Sequence, residues 1–454
     1  MPVTCPIVLP PPAPLQDGAL ETVRRLRAAG FIAYWAGGCA RDILLGRPPK
    51  DYDIATNAVP DKVLDLFPNA VAVGKSFGVV RVPVAGAWYE VATFRKDAAY
   101  EDGRRPSSVT FSDPETDALR RDFTINALFC DPVESRVIDY ACGLADLARR
   151  VVRTVGDPLE RFQEDRLRLL RAVRFATTLD FTLDAATAAA VRGAAALVAA
   201  VSAERVRDEL TRTWLEARRA GAALRMLLEL NLLKGVLPEV VAMVGQEQPA
   251  EFHPEGDVFE HTVVMLNALR TADPRLAWAV LLHDVGKPPT ARWVEGRFRF
   301  ENHAPVGAMS TRRILERLRF SAADMADIAF MVGNHMRFMK VEEMRRATLR
   351  RLVGAPTFPL ELELHRLDCA ASHGKLDNYD FLGAFQKQMA AEPVLPEPWI
   401  TGYDLMGLGI PQGPEVGVWR KKAYDAQLEG MFPDRAALLA WLEREIKEVR
   451  CARG

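Results

Sequence analysis

The sequence predicts a mixed α/β head at the N-terminus, followed by an all-helical body and a second all-helical unit. Three observations predict it. Short apolar, strand-like runs separated by Pro/Gly/Asp turns fill residues 20 to about 142. From about residue 157 the chain becomes rich in Ala, Leu, Arg and Glu with helical periodicity. A stretch with two prolines and little apolar content, 245–256, then divides the helical part in two. A chain of 454 residues exceeds a single core, and its length suggests about three domains.

Residues 1–17 read as a flexible polyproline-like arm, with the first domain starting near residue 20. A helix is expected over 20–29, then strands over 31–35, 51–54, 71–73, 79–84 and 90–94. The run RRDFTINAL reads as a basic turn entering an apolar helix. In the helical part an Ala-dominated helix is expected near 185–201, with Ser202 placed to cap the next one. The second helical unit extends to about residue 391. A tail from Pro393 carries the Gly/Pro-punctuated TGYDLMGLGIPQGPEVG and a charged amphipathic helix. No tandem repeat is present.

Lys and Arg total 59 against 60 Asp and Glu, a net charge of -1, so no global basic field points to a nucleic-acid partner. Arginines cluster locally at 104–105, 120–121, 149–153, 161–174 and 205–212, where an RNA patch would have to lie. Six cysteines without a C-x-x-C pair fit reduced thiols and offer no zinc site. The N-terminus lacks a basic n-region, and no run approaches the roughly 18 apolar residues a membrane span needs. A cytoplasmic protein is expected.

The most informative run is AGGCARDILLGRPPKDYDIAT. It sets a Gly-Gly turn, Gly37-Gly38, and Arg41 about ten residues before Asp51-Tyr52-Asp53. On a strand, Asp51 and Asp53 project from one side. Paired carboxylates beside a glycine turn and an arginine suit Mg²⁺-nucleotide chemistry, because Mg²⁺ is usually held by one or two carboxylates with substrate phosphates completing its shell. In a second run Arg120, Arg121, Asp122 and Asn126 are candidate contacts for a triphosphate and a ribose. In the third, EDRLRLLRAVRF, Asp165 and Arg168 stand three apart and would share a helix face. A carboxylate accepting from an exocyclic amine, beside an arginine donating to a ring nitrogen, would accept cytosine and adenine and reject uracil and guanine. Arg171 and Arg174 continue along that helix.

These runs, with TFRKDAAYEDGRRPSSVTF and DYACGLADL between them, resemble the class II tRNA nucleotidyltransferase and bacterial poly(A) polymerase family over about residues 25–215. The resemblance implies a nucleotidyltransferase-fold head over 20–150, a small mixed sheet with helices, and a helical neck and body over 151–245 for base recognition and RNA binding. It implies nucleotide contacts from Gly38 and Arg41, a catalytic Mg²⁺ on Asp51 and Asp53, and triphosphate binding by Arg121. Asp165 and Arg168 would read the incoming base, with Arg171 and Arg174 beside them. Glu90 is a further carboxylate candidate near the metals. The implied reaction is attack of an RNA 3′-hydroxyl on the α-phosphate of ATP or CTP, with tRNA as partner and CCA as product. Poly(A) synthesis and partial CC or A addition share these motifs. The 94–111 segment, a basic/acidic loop, favours the complete enzyme.

The second helical unit carries His261, His283-Asp284, His303, His335 and Asp368 in order. With EHTVVMLNAL, LLHDVGKP, ENHAPVGA and GNHMRFM around them, they resemble the HD phosphohydrolase superfamily. The resemblance implies an all-α HD domain over 246–392 with one or two divalent ions such as Ni²⁺, Mn²⁺ or Mg²⁺ on those six residues. It also implies phosphoester hydrolysis, for instance as a 2′,3′-cyclic phosphodiesterase or phosphatase acting on 3′ ends. His253 is read as shaping the rim, and His365 and His373 receive no role. Residues 393–454 are a helical tail whose glycine turns are candidate RNA-phosphate contacts. A reading of another class is an RNA-binding protein with an inert head and a working HD unit.

Overall fold

The structure, a computed structural model, describes residues 2–74, 77–98, 103, 108–249, 251, 253–389 and 393–451. The chain separates into two compact units, Met1–Ala242 with Arg317–Phe320, and Met243–Glu316 with Ser321–Gly454. Most of the expected loop within 94–111 lies at 99–102 and 104–107, outside the described residues, as does the 104–105 arginine pair.

The first unit is built on an eight-stranded mixed sheet. Its strands are β1 (Val3–Pro6), β2 (Ala33–Ala36), β3 (Asp53–Thr56), β4 (Val71–Gly74), β5 (Val79–Val84) and β6 (Ala87–Thr93), then, past the small hairpin β7 (Arg95–Asp97) and β8 (Val109–Phe111), β9 (Leu128–Asp131) and β10 (Arg136–Asp139). The order is β1-β10-β9-β2-β3-β6-β5-β4, antiparallel except for the parallel pair β3–β6. Strict alternation sets its core face. Val80, Val82 and Val84 on β5 and Tyr89, Val91 and Thr93 on β6 are buried, while Arg81 and Glu90 face outward.

Register positions the site. Ala36 on β2 pairs with Asp53 on β3, so the Gly37-Gly38 turn that ends β2 lies beside the carboxylates that open β3. Gly37 sits at φ +71, and a Cβ there would meet Arg121 Nη1 at 3.0 Å. The positive φ favours glycine here, and a Cβ would also press on the Arg121 guanidinium. In the parallel pair Ile54 matches Val91, which brings Glu90 next to Asp53.

Three expectations are corrected. The arm over 1–17 is not free: Val3–Pro6 pair with β10 as an edge strand, and the first helix runs Pro14–Ala28 with proline in its first turn. The apolar run after Arg121 is a single 3₁₀ turn, Thr124–Asn126, followed by β9, every residue of which is buried. A fully buried strand is apolar on both faces and so mimics a helix in sequence. EDRLRLLRAVRF is not one helix. It breaks between Pro158–Glu164 and Arg168–Leu179, with Asp165 extended at φ -137, ψ 103. Asp165 Oδ1 accepts from Leu167 N at 3.1 Å, the local side-chain bond by which aspartate competes with helix continuation. Two smaller departures lie downstream. The helix expected over 185–201 ends at Ala194 and passes into a 3₁₀ turn, and Ser202 holds the N-cap position without a side-chain capping bond.

The strands β11 (Val151–Val152) and β12 (Thr182–Leu183) pair in parallel within the helical part of the first unit. The second unit is helical apart from one hairpin, β13 (Arg292–Val294) and β14 (Arg297–Arg299), among the described residues. Three of its helices that carry metal-ligand candidates, or end on them, start on side-chain caps: Asp257 for Val258–Ala268, Asp273 for Pro274–Leu282 and Ser321 for Ala322–Asn334. The tail has a core of its own around Leu405, Trp419, Leu438 and Leu442. The helix Gly402–Gly407 in the TGYDL run opens with a Thr401–Asp404 capping box. No helix of the described residues is long and apolar enough to cross a membrane.

Candidate functional site

In the first unit a cleft of about 540 Å³ gathers Gly37, Gly38, Arg41, Asp51, Asp53, Arg121, Asn126, Asp165, Arg168 and Arg171. These were drawn from three runs far apart in sequence. Of the predicted head residues, Arg174 and Glu90 do not line it. The side chain of Arg174 is buried and bonded through Nε to Glu209 at 2.6 Å.

Asp51 and Asp53 flank buried Tyr52 and both line the cleft, as the alternation predicts, with the Asp53 carboxyl enclosed by its walls. Burial, then the charges of Asp51 and Glu90, push the Asp53 carboxyl up to about 6 against the pull of Arg121. Carboxylates that repel one another in this way fit a divalent cation, which would relieve the repulsion. Arg41 donates through Nη1 to Asn126 Oδ1 at 2.7 Å and through Nε to Asp42 at 2.8 Å. Arg121 donates to Asp117 at 3.0 Å and to the Asn126 carbonyl at 3.2 Å. Asn126 is thus the bracket that fixes two cleft arginines.

Asp165 and Arg168 do not pair with each other. Asp165 Oδ2 accepts from Arg205 at 2.8 Å, while Arg168 Nη1 donates to Glu164 at 2.6 Å and to the Arg161 carbonyl at 3.1 Å, and Nη2 to the Arg120 carbonyl at 3.2 Å. The helix break, not a shared helix face, is what brings both to the cleft.

Among the cleft residues, Leu167 and Phe175 carried no site role in the sequence reading, and Arg205 entered it only within an arginine cluster. Asp122 takes a two-pronged bond from Arg171 at 2.6 and 2.8 Å and accepts from Asn126 at 3.2 Å. Burial alone would raise its carboxyl, but Arg171 outweighs it and holds the group at about 2. Phe175 is ringed by the guanidiniums of Arg41, Arg171 and Arg174 at 5.4, 5.1 and 4.3 Å from its centroid. Arg120, Leu167 and Arg205 complete the lining. For Asp122 and Arg120 the adjacent RRD run was a signal. For Arg205 the signal was the 205–212 arginine cluster, which gave no hint of its partner Asp165, 40 residues away.

In the second unit the six predicted residues converge. Helix ends and faces deliver them: His261 from Val258–Ala268, His283 from the end of Pro274–Leu282, His303 from the start of His303–Arg317, His335 from the end of Ala322–Asn334, and Asp368 from Phe358–Ala371. His261, His283 and Asp368 form one group of ligand-type atoms, and Asp284, His303 and His335 a second, each within 4.8 Å. Asp284 lies 3.1 Å from His283 Nε2, 3.7 Å from His303 Nε2 and 3.8 Å from His335 Nε2.

The donor set fits a metal. His283, His303 and His335 each give Nδ1 to the carbonyl three residues earlier, at 2.9, 2.8 and 2.7 Å. That fixes the tautomer and leaves each Nε2 lone pair aimed into the cluster. His283 Nε2 is buried and, although Asp284 lies 3.1 Å away, makes no hydrogen bond, an arrangement that a cation between the two would answer. Asp284 is held well below the usual carboxylate range: burial opposes this, but the charges of His283 and Lys287 prevail. Burial lowers His335 to about 4, the neutral form a ligand needs.

Glu255, Lys287 and the hairpin were missed here. Glu255 Oε1 meets His261 Nδ1 at 2.5 Å and His253 Nδ1 at 2.9 Å. These contacts are shorter than the separation of two ligands on one ion, so this third group of ligand-type side chains is a hydrogen-bonded bracket. Lys287 Nζ reaches Asp284 at 2.7 Å. His253, His365 and His373 all line the same cavity, of about 550 Å³.

Comparison with known proteins follows the same division. The family described as "Poly A polymerase head domain" matches residues 33–153, "Probable RNA and SrmB- binding site of polymerase A" matches 180–243, and "HD domain" matches 258–369. The CCA-adding enzyme of Geobacillus sp. (strain WCH70) is 45% identical over 215 residues, 47% of this chain and 53% of that protein, so this match spans about half the relative's length. The CCA-adding enzyme of Lactobacillus johnsonii is 30% identical over 424 residues, 93% of this chain and 95% of the relative. The crystal structure of the Bacillus stearothermophilus CCA-adding enzyme in complex with CTP superimposes with a TM-score of 0.75 at 28% identity, covering 98% of this chain and 100% of that one. The Thermotoga maritima CCA-adding enzyme complexed with tRNA shares the fold, at TM-score 0.63 and 19% identity over 98% of this chain and 100% of that one.

Proposed function

Because the chain belongs to the CCA-adding enzyme family, we propose that it adds or repairs the 3′-terminal CCA of tRNA from CTP and ATP, releasing pyrophosphate. The observation that carries this reading is one cleft in which Asp51 and Asp53 meet Asp165 and Arg168. Divalent ions on the two aspartates, when bound, would stabilise the attacking and leaving oxygens of an in-line displacement. The remaining work falls to side chains. Arg41 and Arg121, fixed by Asn126, would hold the triphosphate oxygens. A bond forms between the RNA 3′-oxygen and the α-phosphorus as the bond to the β-phosphate bridging oxygen breaks. The hydroxyl proton leaves toward the carboxylate group of Asp51, Asp53 and Glu90. Asp165 and Arg168 would choose the base. Each Asp165 oxygen keeps a second lone pair, and a guanidinium has five donors against the three acceptors Arg168 uses.

For the second unit the proposal is a divalent-metal phosphoesterase on His261, His283, Asp284, His303, His335 and Asp368, acting on phosphorylated RNA 3′ ends. Six free cysteines support a cytoplasmic setting for both activities. Extension of a tRNA ending before CCA, with each nucleoside triphosphate in turn, tests the first activity. Incorporation of C, C and A followed by arrest is expected. Processive A addition, or no incorporation, overturns it.

A further inference from the structure

The two groups of ligand-type residues in the second unit are tied together at one end by His283 and Asp284, which are neighbours in sequence. At the other end stand Asp368 of the first group and His335 of the second. Asp368 lies on the helix Phe358–Ala371, and His335 opens the 3₁₀ segment His335–Glu343. No short connection joins these two, so their spacing depends on how helix and segment pack. Glu361, His365 and Asp368 recur at i, i+4 and i+7 and share one face of the helix. That face meets the segment twice. The Phe338 ring stands edge-on to His365 at 5.3 Å. Arg337 Nη2 lies 2.5 Å from Glu361 Oε2 as an ion pair, and Thr357 Oγ1 donates to Glu361 Oε1 at 2.8 Å. The Arg337 guanidinium also stands over the Phe330 and Phe338 rings, 5.3 and 5.4 Å from their centroids. Phe330 belongs to Ala322–Asn334, the helix that ends at His335.

Stability does not account for this pair. Glu361 is 3% exposed, and burial raises its carboxyl and lowers the Arg337 guanidinium, each against the pull of the other's charge. The contact lacks hydrogen-bond alignment, and Arg337 Nε is buried with no partner at all. In such a pair the loss of hydration offsets the attraction, and apolar side chains of similar volume often serve stability as well or better. What a buried ion pair supplies best is register. The apolar side chains around it, among them Phe338, Val341, Phe358 and Leu362, hold helix and segment together without direction. They permit a slide or a rotation that a short ion contact does not, and metal–ligand distances tolerate only about 0.2 Å. We propose that Arg337 and Glu361 are positioning residues for the metal cluster. Their contact fixes the helix bearing Asp368 against the segment bearing His335, and so sets the spacing of the two ligand groups. The inference rests on the divalent-metal reading of the cluster above and assigns no substrate to it.

The test uses the full chain, stripped of metal and titrated with Mn²⁺ by calorimetry, with its metal-free melting temperature measured in EDTA. Arg337→Met/Glu361→Leu replaces the pair by apolar side chains and leaves the head unaltered, so any change in Mn²⁺ binding belongs to this cluster. Its metal-free melting temperature should equal or exceed that of the parent, while Mn²⁺ affinity falls by about tenfold or more. Glu361→Asp keeps the charge but draws the carboxylate back by one methylene. Its Mn²⁺ affinity should fall as well, and it carries the test if the double variant does not fold. Glu363→Gln breaks the Arg366–Glu363 pair within the same helix and should leave Mn²⁺ binding at the parent value. Parent affinity in the double variant or in Glu361→Asp overturns the positioning role alone. So does an equal loss in Glu363→Gln, or a folded double variant whose melting temperature drops together with its affinity. A His283→Ala variant that titrates like the parent would show that no Mn²⁺ enters the cluster, which overturns the metal reading and the positioning role with it.

Discussion

Asp53 shows how a single side chain sets the terms of the head. Its carboxyl, pushed up to about 6 by burial and by Asp51 and Glu90, binds its proton more tightly folded than unfolded. Without metal it therefore favours the folded state below about pH 4, and that contribution is lost as pH rises through about 6. Asp53→Asn removes the repulsion together with a ligand. Incorporation should fall by about a thousandfold or more, while the melting temperature in EDTA at pH 7.5 rises by a few degrees. A lower melting temperature would show that Asp53 is held by something other than a cation. Glu255 is the counterpart in the second unit. It locks His261 from behind, and outer-shell carboxylates of this kind are worth about 10- to 100-fold in metal affinity. Glu255→Gln should weaken Mn²⁺ binding by that factor, measured by equilibrium dialysis. In the metal-free protein, His261 is desolvated, yet Asp368 and Glu255 beside it raise it to about 9. Metal uptake at pH 7.5 should accordingly release close to one proton, readable by calorimetry in buffers of different ionisation enthalpy.

At the scale of elements, much of the head was legible because its chemistry sits on strand ends and turns whose residue types have few other uses. A glycine pair before an arginine and a spaced pair of aspartates survive as signals even when their strands are misjudged by a residue or two. The β9 strand was not legible, since burial on both faces erases the alternation that marks a strand. Nor was the break at Asp165, which depends on one side-chain bond to Leu167 N and moves Asp165 and Arg168 off a common helix face. Long-range partners such as Arg205 and Glu209 leave no periodic trace at all. In the second unit the ligands were legible as an ordered set, but the element that packs them was not. Gly286 follows His283-Asp284, and a Cβ there would meet the His303 carbonyl at 2.0 Å and Gly307 N at 2.5 Å. Glycine at this position lets the backbone carrying His303 approach the backbone carrying Asp284. Gly286→Ala must push the two apart, and a shift of even a few tenths of an ångström strains a site with metal–ligand distances fixed to about 0.2 Å. Mn²⁺ stoichiometry should fall below that of the parent while the far-ultraviolet circular dichroism of the helices is retained. Full metal occupancy in this variant would mean that the two ligand groups act independently.

The whole molecule carries two sets of chemical groups in two compact units, each with its own cleft and its own metal-competent cluster. The near-neutral total charge of -1 fits this arrangement, because the arginines around the head cleft are each paired with a neighbouring acid, as Arg171 is with Asp122 and Arg205 with Asp165. RNA binding that relies on a local patch depends on counterion release, so tRNA affinity should drop steeply as salt rises from 50 to 200 mM. If the units work separately, single substitutions must separate them. Asp53→Ala should abolish nucleotide incorporation and leave phosphoester hydrolysis at the parent rate. His283→Ala should do the reverse, because it removes a buried ligand whose Nε2 faces the cluster without a hydrogen bond. Both variants are assayed on one tRNA preparation, with incorporation followed by gel extension and hydrolysis by phosphate release. Loss of both activities in either variant would mean that one unit needs the other's chemistry, and would replace two independent sites with one coupled machine.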